Sequence, residues 1–155
     1  MNNEMCGKRS ICPLVLAIFI GYFGINSYFE SAQAKDVYPR LKPLLSTGKT
    51  ILGQQFTYPT GAPAKVTSVI VLLKPGEETG WHEHKVPLFA YIIEGELTVN
   101  YGPNGKRVYR AGDSLIEAIN ISHNGKNTGT GVVRVLAVFM GVNGKPNTVS
   151  LKPQQ

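Results

Sequence analysis

The chain has 155 residues, a formal net charge of +6 and three histidines. That length suits a single compact domain. Its basic residues are scattered singly, apart from the pair Lys106-Arg107, and no predicted helix gathers them on one face. A nucleic-acid partner is therefore not expected, because such partners are held by clustered basic patches or stripes.

The first predicted element is an export signal over residues 1–34. Two basic residues precede the uncharged run at 11–25, and Ala32 and Ala34 supply the small residues of an A-x-A cleavage site. We expect cleavage after Ala34 and an exported protein, periplasmic in a Gram-negative cell and otherwise secreted, with no stable membrane anchor. The alternative is an uncleaved transmembrane anchor, although the apolar run is shorter than the roughly 20 residues of a typical span.

Both cysteines, Cys6 and Cys12, lie inside this expected signal, so residues 35–155 contain none. The mature chain cannot form an internal disulfide, even in an oxidising compartment. We therefore expect its apolar core, or a bound metal, to hold it together.

From residue 67 onward the sequence predicts one β-strand after another. Most of these runs are rich in Val, Ile, Leu or aromatic residues, and Gly, Pro or Asn occupy the breaks between them. The predicted strands cover residues 67–73, 88–93, 96–101, 106–110 and 132–139. Short strands with such breaks indicate an all-β antiparallel sandwich or barrel. A short helix-like segment at 40–45 precedes them.

Two of the histidines, His82 and His84, are one residue apart. In a strand, residues two positions apart point to the same face, so these imidazoles project together. Burying them side by side in an apolar barrel is costly unless a metal ion occupies their nitrogens. His123, in a plausible further strand at 121–124, is the third candidate ligand. The alternative is a barrel whose histidines persist without a metal.

These residues resemble the two motifs of the cupin superfamily. The first, G-x5-H-x-H-x3,4-E-x6-G, and the second, G-x5-P-x-G-x2-H-x3-N, are matched in register at Gly76, His82, His84, Gly95, Gly112, His123 and Asn127. The resemblance implies a single cupin β-barrel over residues 35–155, of the double-stranded β-helix or jelly-roll type. It also implies that the three histidines are metal ligands.

Three positions depart from the motifs. Ala118 and Asn120 replace a Pro and a Gly, which puts the geometry of that loop in doubt, and Leu88 replaces the glutamate ligand. The site thus resembles the three-histidine version found in thiol dioxygenase-like and some ring-cleaving cupins. Three neutral imidazoles leave a divalent metal its full 2+ charge, which favours a small anionic partner molecule.

The pocket beside the metal is expected to be small and apolar. Its predicted lining residues are Leu88, Ala90, Ile92 and Ile121. Two further aromatic residues, Trp81 and Tyr91, are expected on the opposite face, in packing or homodimer contacts.

Three acidic residues near the motifs are candidate substitutes for the missing glutamate. Glu117 is either a surface residue or a group that supports the site, as a tentative acid or base. Glu77 and Glu78 are expected to be solvent-exposed turn residues.

The resemblance leaves two classes of function open. The first is a metalloenzyme that carries out a dioxygenase-type oxidation of a small anionic substrate. Fe(II) is the favoured metal; Zn, Mn, Ni and Cu remain open, and a metal-dependent isomerase or lyase is the variant within this class. The second is a non-catalytic periplasmic module that binds a small metabolite or a metal.

Overall fold

The computed structural model describes residues 40–151, and this part of the chain is built almost entirely from β-strands. The strands are β1 Ala64–Leu73, β2 His82–His84, β3 Leu88–Glu94, β4 Glu96–Asn100, β5 Lys106–Arg110, β6 Ser114–Ile116, β7 Asn124–Asn127, β8 Val133–Val142 and β9 Thr148–Ser150. A short 3-10 turn, Gly102–Asn104, is the only helical element in this range. The all-β prediction is confirmed, while the expected signal at 1–34 lies outside the described residues.

The strands form three antiparallel sheets. The largest has the order β1-β8-β3-β6, the second has the order β5-β4-β7, and β2 pairs with β9. No helix among the described residues has the length and apolar composition needed to cross a bilayer.

The apolar core lies between the two larger sheets. Alternate residues of β3 and β8 point into it, as the period of two in a strand requires. The second sheet contributes residues from β4 and β5 to the same cluster. Its members include Leu88, Ala90, Ile92, Leu97, Val99, Tyr109, Val133, Val135 and Ala137. One continuous core therefore joins both sheets, as expected for a barrel or sandwich.

All five strands predicted from the sequence are present, with some ends displaced by a few residues. Two strands, β6 and β9, were missed, and each has only three residues. The sequence of β7 is Asn-Gly-Lys-Asn, which has low strand propensity, and its pairing with β4 overrides that preference. The further strand expected at 121–124 corresponds to β7, which is displaced and begins at Asn124, one residue after His123.

The helix expected at residues 40–45 is wrong. Residues 41–46 have no regular secondary structure, and Leu44 accepts a hydrogen bond from the Ser114 hydroxyl at 2.7 Å. Pro43 disfavours the helical conformation of the residue before it. A six-residue helix is also too short to be stable without strong tertiary packing.

The turn between β3 and β4 depends on Gly95. Its φ is +85°, and a Cβ placed there would lie 2.6 Å from the Val132 carbonyl oxygen.

We expect Gly95→Ala to destabilise the protein by about 3 kcal/mol or more, since a left-handed conformation and a backbone clash act together. Gly112→Ala is the matched control, because Gly112 has a φ of +95° and no atom within 4 Å of its Cβ position. Its expected cost is only about 1–2 kcal/mol. If urea unfolding gives the same loss of stability for both variants, the predicted clash with the Val132 carbonyl oxygen is contradicted.

Candidate metal centre

Backbone pairing brings the three histidines together. His82 and His84 are the ends of β2, and the backbone of His82 exchanges two hydrogen bonds with that of His123, at 3.0 and 2.9 Å. The loop before His123 is fixed to the same strand, because Asn120 donates its N–H to the His84 carbonyl oxygen at 2.9 Å. The two motifs therefore meet at one point of the fold.

The three imidazoles face one another closely. Their ring centroids are 4.5–4.9 Å apart, and one ligand atom from each ring lies within 4.8 Å of the others. Nε2 of His84 is 3.3 Å from Nε2 of His123. Two nitrogens that each lie about 2.1 Å from one ion are about 3.0–3.4 Å apart at octahedral or tetrahedral bond angles. This spacing suits a shared divalent metal.

The other ring nitrogen of each histidine already has a partner. Nδ1–H of His82 donates to the Gly80 carbonyl oxygen at 2.7 Å, and Nδ1–H of His123 donates to the Ile121 carbonyl oxygen at 2.8 Å. Nδ1 of His84 lies 3.0 Å from the Thr148 hydroxyl. Because a carbonyl oxygen only accepts, the neutral rings of His82 and His123 carry their proton on Nδ1. Their Nε2 lone pairs are left free to bind a metal.

Burial keeps these rings neutral. It lowers the pKa of all three histidines, and the pKa of His84 falls to about 3 because the two neighbouring imidazoles add to the effect of burial. If the rings are neutral with their protons on Nδ1, the 3.3 Å approach of two Nε2 atoms brings two lone pairs together. A cation at the centre would compensate that contact.

The direction of these shifts predicts a pH dependence of stability. A histidine whose pKa is lowered by folding contributes to stability at pH values above its unfolded-state pKa of about 6.5. This contribution is lost as the pH falls below that value. The loss is roughly 1.4 kcal/mol per pH unit for each histidine that is protonated only when unfolded. Glu117 opposes it, since its raised pKa favours the folded state at low pH. With three groups against one, the metal-free protein should melt at a lower temperature at pH 5 than at pH 7.5. A melting temperature that does not change with pH would contradict this prediction.

Glu117 is buried, so its surface alternative is wrong. Its side chain is only 6% exposed, and Oε1 accepts the Ala118 N–H at 2.7 Å. Burial raises the pKa of this carboxyl, while the Ala118 N–H and the proximity of Tyr101 and His82 act in the opposite direction. The structure thus places a carboxyl group inside the protein beside the histidine cluster.

Two buried tyrosines lie close to the histidines and Glu117. They were not identified from the sequence. The Tyr101 ring lies 5.7 Å from the His123 ring, and its hydroxyl is 3.0 Å from that of Tyr109. Both are buried, and burial raises the pKa of both hydroxyls. The sequence did contain an indication of this position. Tyr101 follows Leu97 and Val99 at intervals of two residues, so it is expected on the same inward face of the strand.

The predicted pocket residues lie in or against the core. Leu88, Ala90 and Ile92 are buried on the inner face of β3, and Ile121 is partly buried and packs against them. Leu88 is directly opposite Phe139, whose ring lies 5.5 Å from that of His84. Because opposite residues share a face, Leu88 is on the histidine side of the sheet. That these residues form the wall of a substrate pocket stays a prediction.

The acidic turn residues are exposed, as expected. Glu78 forms an ion pair with Lys126 at 2.9 Å and accepts a hydrogen bond from Asn124 at 2.8 Å. The Glu77 carboxylate accepts the Lys74 N–H at 2.7 Å. Both carboxylates are thus engaged at the surface.

The fold accommodates Ala118 and Asn120, the two residues that depart from the second motif. Asn120 has a φ of +55°, the only positive φ of a non-glycine residue in the described range, and Asn tolerates this conformation better than most residues. Ala118 is fully buried. Asn127 donates to the carbonyl oxygens of Leu73 and Gly131, both at 2.8 Å, and so fixes the chain after His123.

Comparison with known families decides the identity of the fold. The sequence profile of Cupin_2, described as a cupin domain, matches residues 69–139, which include all three histidines. The chain contains a cupin domain. A search of curated proteins found no match for this cupin.

Solved structures similar to this cupin include two oxalate decarboxylases. The formate complex of the Lactobacillus farciminis enzyme is 24% identical, with 56% of this chain and 26% of that chain covered and a TM-score of 0.48. The Bacillus subtilis enzyme at pH 4.6 is 26% identical, with 56% and 23% covered and a TM-score of 0.47. Another structure of that enzyme, from work on its Mn(II) centres, has the same identity and TM-score, with 56% and 24% covered. The matched region is about a quarter of the length of these proteins.

Proposed function

We propose that this cupin binds one divalent transition metal through Nε2 of His82, His84 and His123. The observation that carries the proposal is the convergence of three imidazoles, two of them buried and that of His82 partly buried, whose Nδ1 atoms all have other partners. Partners of this kind orient histidine ligands and hold their tautomer in metal sites.

We further propose that the protein is a metalloenzyme that oxidises a small anionic substrate in a dioxygenase-type reaction. Fe(II), when bound, would supply the redox chemistry that dioxygen needs. Because both oxygen atoms enter the product in such a reaction, no external reductant is required. The chain contributes three neutral ligands and an apolar Leu88 in place of a carboxylate. The full 2+ charge would favour a chelating anion, such as a carboxylate with a neighbouring hydroxyl or a thiolate with an amine.

Glu117 is the best available group for holding or moving a proton. Its carboxyl is buried and lies near His82 and Tyr101. A buried carboxyl close to a reacting centre is suited to general acid–base catalysis. Tyr101 and Tyr109 would hold it in one orientation.

Metal analysis and oxygen uptake test this function. The purified protein should contain about one transition-metal ion per chain by mass spectrometry. After anaerobic loading with Fe(II), it should consume oxygen in the presence of one of a panel of small carboxylates and thiols. Glu117→Gln should keep the metal and lose turnover. Bound metal with no oxygen uptake and no other turnover would favour the binding module, and bound Zn or Mn with turnover of another kind would favour an isomerase or lyase.

We also propose that the protein is exported and cleaved after Ala34, to the periplasm or the medium. The support is the basic start, the uncharged run at 11–25 and the small residues Ala32 and Ala34. Intact-mass analysis of the exported fraction should give a chain that begins at Lys35. A mass that retains residues 1–34 would contradict cleavage and favour an anchored protein.

A further inference from the structure

A half-open cavity of about 350 Å³ lies beside the end of β2. Its volume is within the range of small-molecule sites, about 300–1,000 Å³. The segment before β1, the residues just after β2, the loop before β7 and the turn between β8 and β9 all contribute to its wall. We call it the outer cavity, and the polar residues that line it include Gln55, Thr57, Lys85, Asn120 and Lys145.

The outer cavity is separate from the histidine cluster. Adjacent residues of a strand point to opposite faces, so Glu83 points away from the two histidines that flank it. Lys85 forms an ion pair with Glu83, which places the Lys85 side chain on that opposite side. None of the three histidines lines the cavity. A ligand in the outer cavity would therefore not depend on the metal.

Hydrogen bonds hold the walls of the outer cavity in place. The Gln54 amide joins the segment before β1 to the loop before β7, because it donates to the Ile119 carbonyl oxygen at 2.9 Å and accepts the Ile119 N–H at 3.1 Å. The N–H of Lys85 donates to the Asn147 carbonyl oxygen at 3.0 Å and fixes the side next to β9. A cavity that is already formed loses little freedom when a ligand binds, which favours affinity.

The charge of the outer cavity favours an anion. Its charged lining residues are Lys85 and Lys145, and no acidic residue of the described chain lines it. Glu83 compensates the charge of Lys85, whereas Lys145 belongs to none of the ion pairs formed among residues 40–151. One uncompensated ammonium group is thus left, with the amides of Gln55 and Asn120 as further donors. Hydrogen bonds between an ammonium group and an anion are stronger than those between neutral groups.

The rest of the lining is apolar. It comes from Phe56, Pro59, Pro87 and Ile119. Pro87 is buried, and the other three are partly buried. Inorganic phosphate would leave this apolar surface uncovered, whereas an organic acid would cover it and gain from its burial. We propose that the outer cavity binds a small organic carboxylate with an apolar body, independently of the metal centre.

Binding of benzoate to the metal-free protein tests this proposal. Benzoate joins a carboxylate to an apolar ring, benzamide keeps the shape without the charge, and inorganic phosphate has the charge without the ring. After the metal is removed with EDTA and the chelator is dialysed away, benzoate should shift the NMR signals of the Gln55 and Asn120 side-chain amides. Benzamide and phosphate should each bind at least about tenfold more weakly. No shift by benzoate up to about 10 mM, or equally tight binding of either control compound, would overturn the proposal.

Substitutions at Lys145 separate the outer cavity from other basic positions. Lys145→Gln should weaken benzoate binding by about tenfold or more, because it removes the uncompensated charge and keeps a polar side chain. Lys145→Arg restores the charge and should bind as tightly as the unaltered protein. Lys106→Gln is the matched control, since Lys106 is exposed on β5, and it should leave the affinity unchanged. The metal content of Lys145→Gln should equal that of the unaltered protein, so a failure of this site is distinguishable from a failure of the metal centre.

Asn120→Gly provides a second variant within the cavity. Glycine adopts the φ of +55° at this position without strain, so the variant removes the amide and keeps the loop. The affinity for benzoate should fall by about three- to tenfold. An unchanged affinity in both Lys145→Gln and Asn120→Gly would place benzoate elsewhere and overturn the proposal.

Discussion

The His84→Ala variant is expected to keep no stoichiometric metal after dialysis, whereas the unaltered protein should keep about one ion per chain. Losing a residue that only orients a ligand costs roughly 10–100-fold in metal affinity, so losing a ligand should cost more. The chain has three histidines, all in this cluster, so no other imidazole can substitute. Metal content by mass spectrometry and affinity by competition with a chelator measure the loss.

Thr148→Val provides a graded control for this variant. It removes the hydroxyl beside Nδ1 of His84 but keeps the ligand, so the affinity should fall by roughly 10–100-fold without abolishing binding. Thermal unfolding gives a second measure. At a metal concentration about 1,000 times the dissociation constant, binding stabilises the folded state by about 4 kcal/mol. That increment should vanish in His84→Ala, and an equal increment in the variant would exclude His84 as a ligand.

The long strands could be predicted because their pattern is local. The apolar runs that became β1 and β8 are long enough to identify without knowing their partners. The short strands β6, β7 and β9 are different, because each exists only through pairing with a distant segment. Three or four residues carry too little periodicity to indicate a strand. The wrong prediction of a helix at 40–45 has a related cause, since this segment makes a contact with the distant Ser114.

The histidines were predictable from spacing, but their surroundings were not. A separation of two residues fixes a common face in any strand, and the second motif supplied His123. The burial of Glu117 depends on how distant segments of the chain pack around it, and no local pattern records that. Thr148 is next to His84 only because β9 pairs with β2 in a register that places these two residues opposite each other.

The Leu88→Glu variant tests why this site has no acidic ligand. Leu88 is buried, on the same face as Phe139 and so on the side of His84. If a carboxylate there reaches the metal, the variant should retain metal at least about tenfold more tightly in competition with a chelator. Small carboxylates and thiolates should bind the loaded protein more weakly, because less uncompensated charge remains. If the carboxylate cannot reach, a buried unpaired charge should destabilise the fold by about 3 kcal/mol or more.

Leu88→Gln is the matched control for this experiment. Gln has nearly the shape of Glu and also buries a polar group, but it lacks the negative charge that makes a carboxylate a strong metal ligand. Both variants should lose stability in the metal-free state, since both replace a well-packed leucine in the core. Both variants should gain stability when metal is added, because the three histidines remain, but only Leu88→Glu should gain more than the unaltered protein and retain the metal more tightly. If the two variants retain metal equally, Leu88 is ordinary core packing, and the three-histidine explanation for the missing glutamate is wrong.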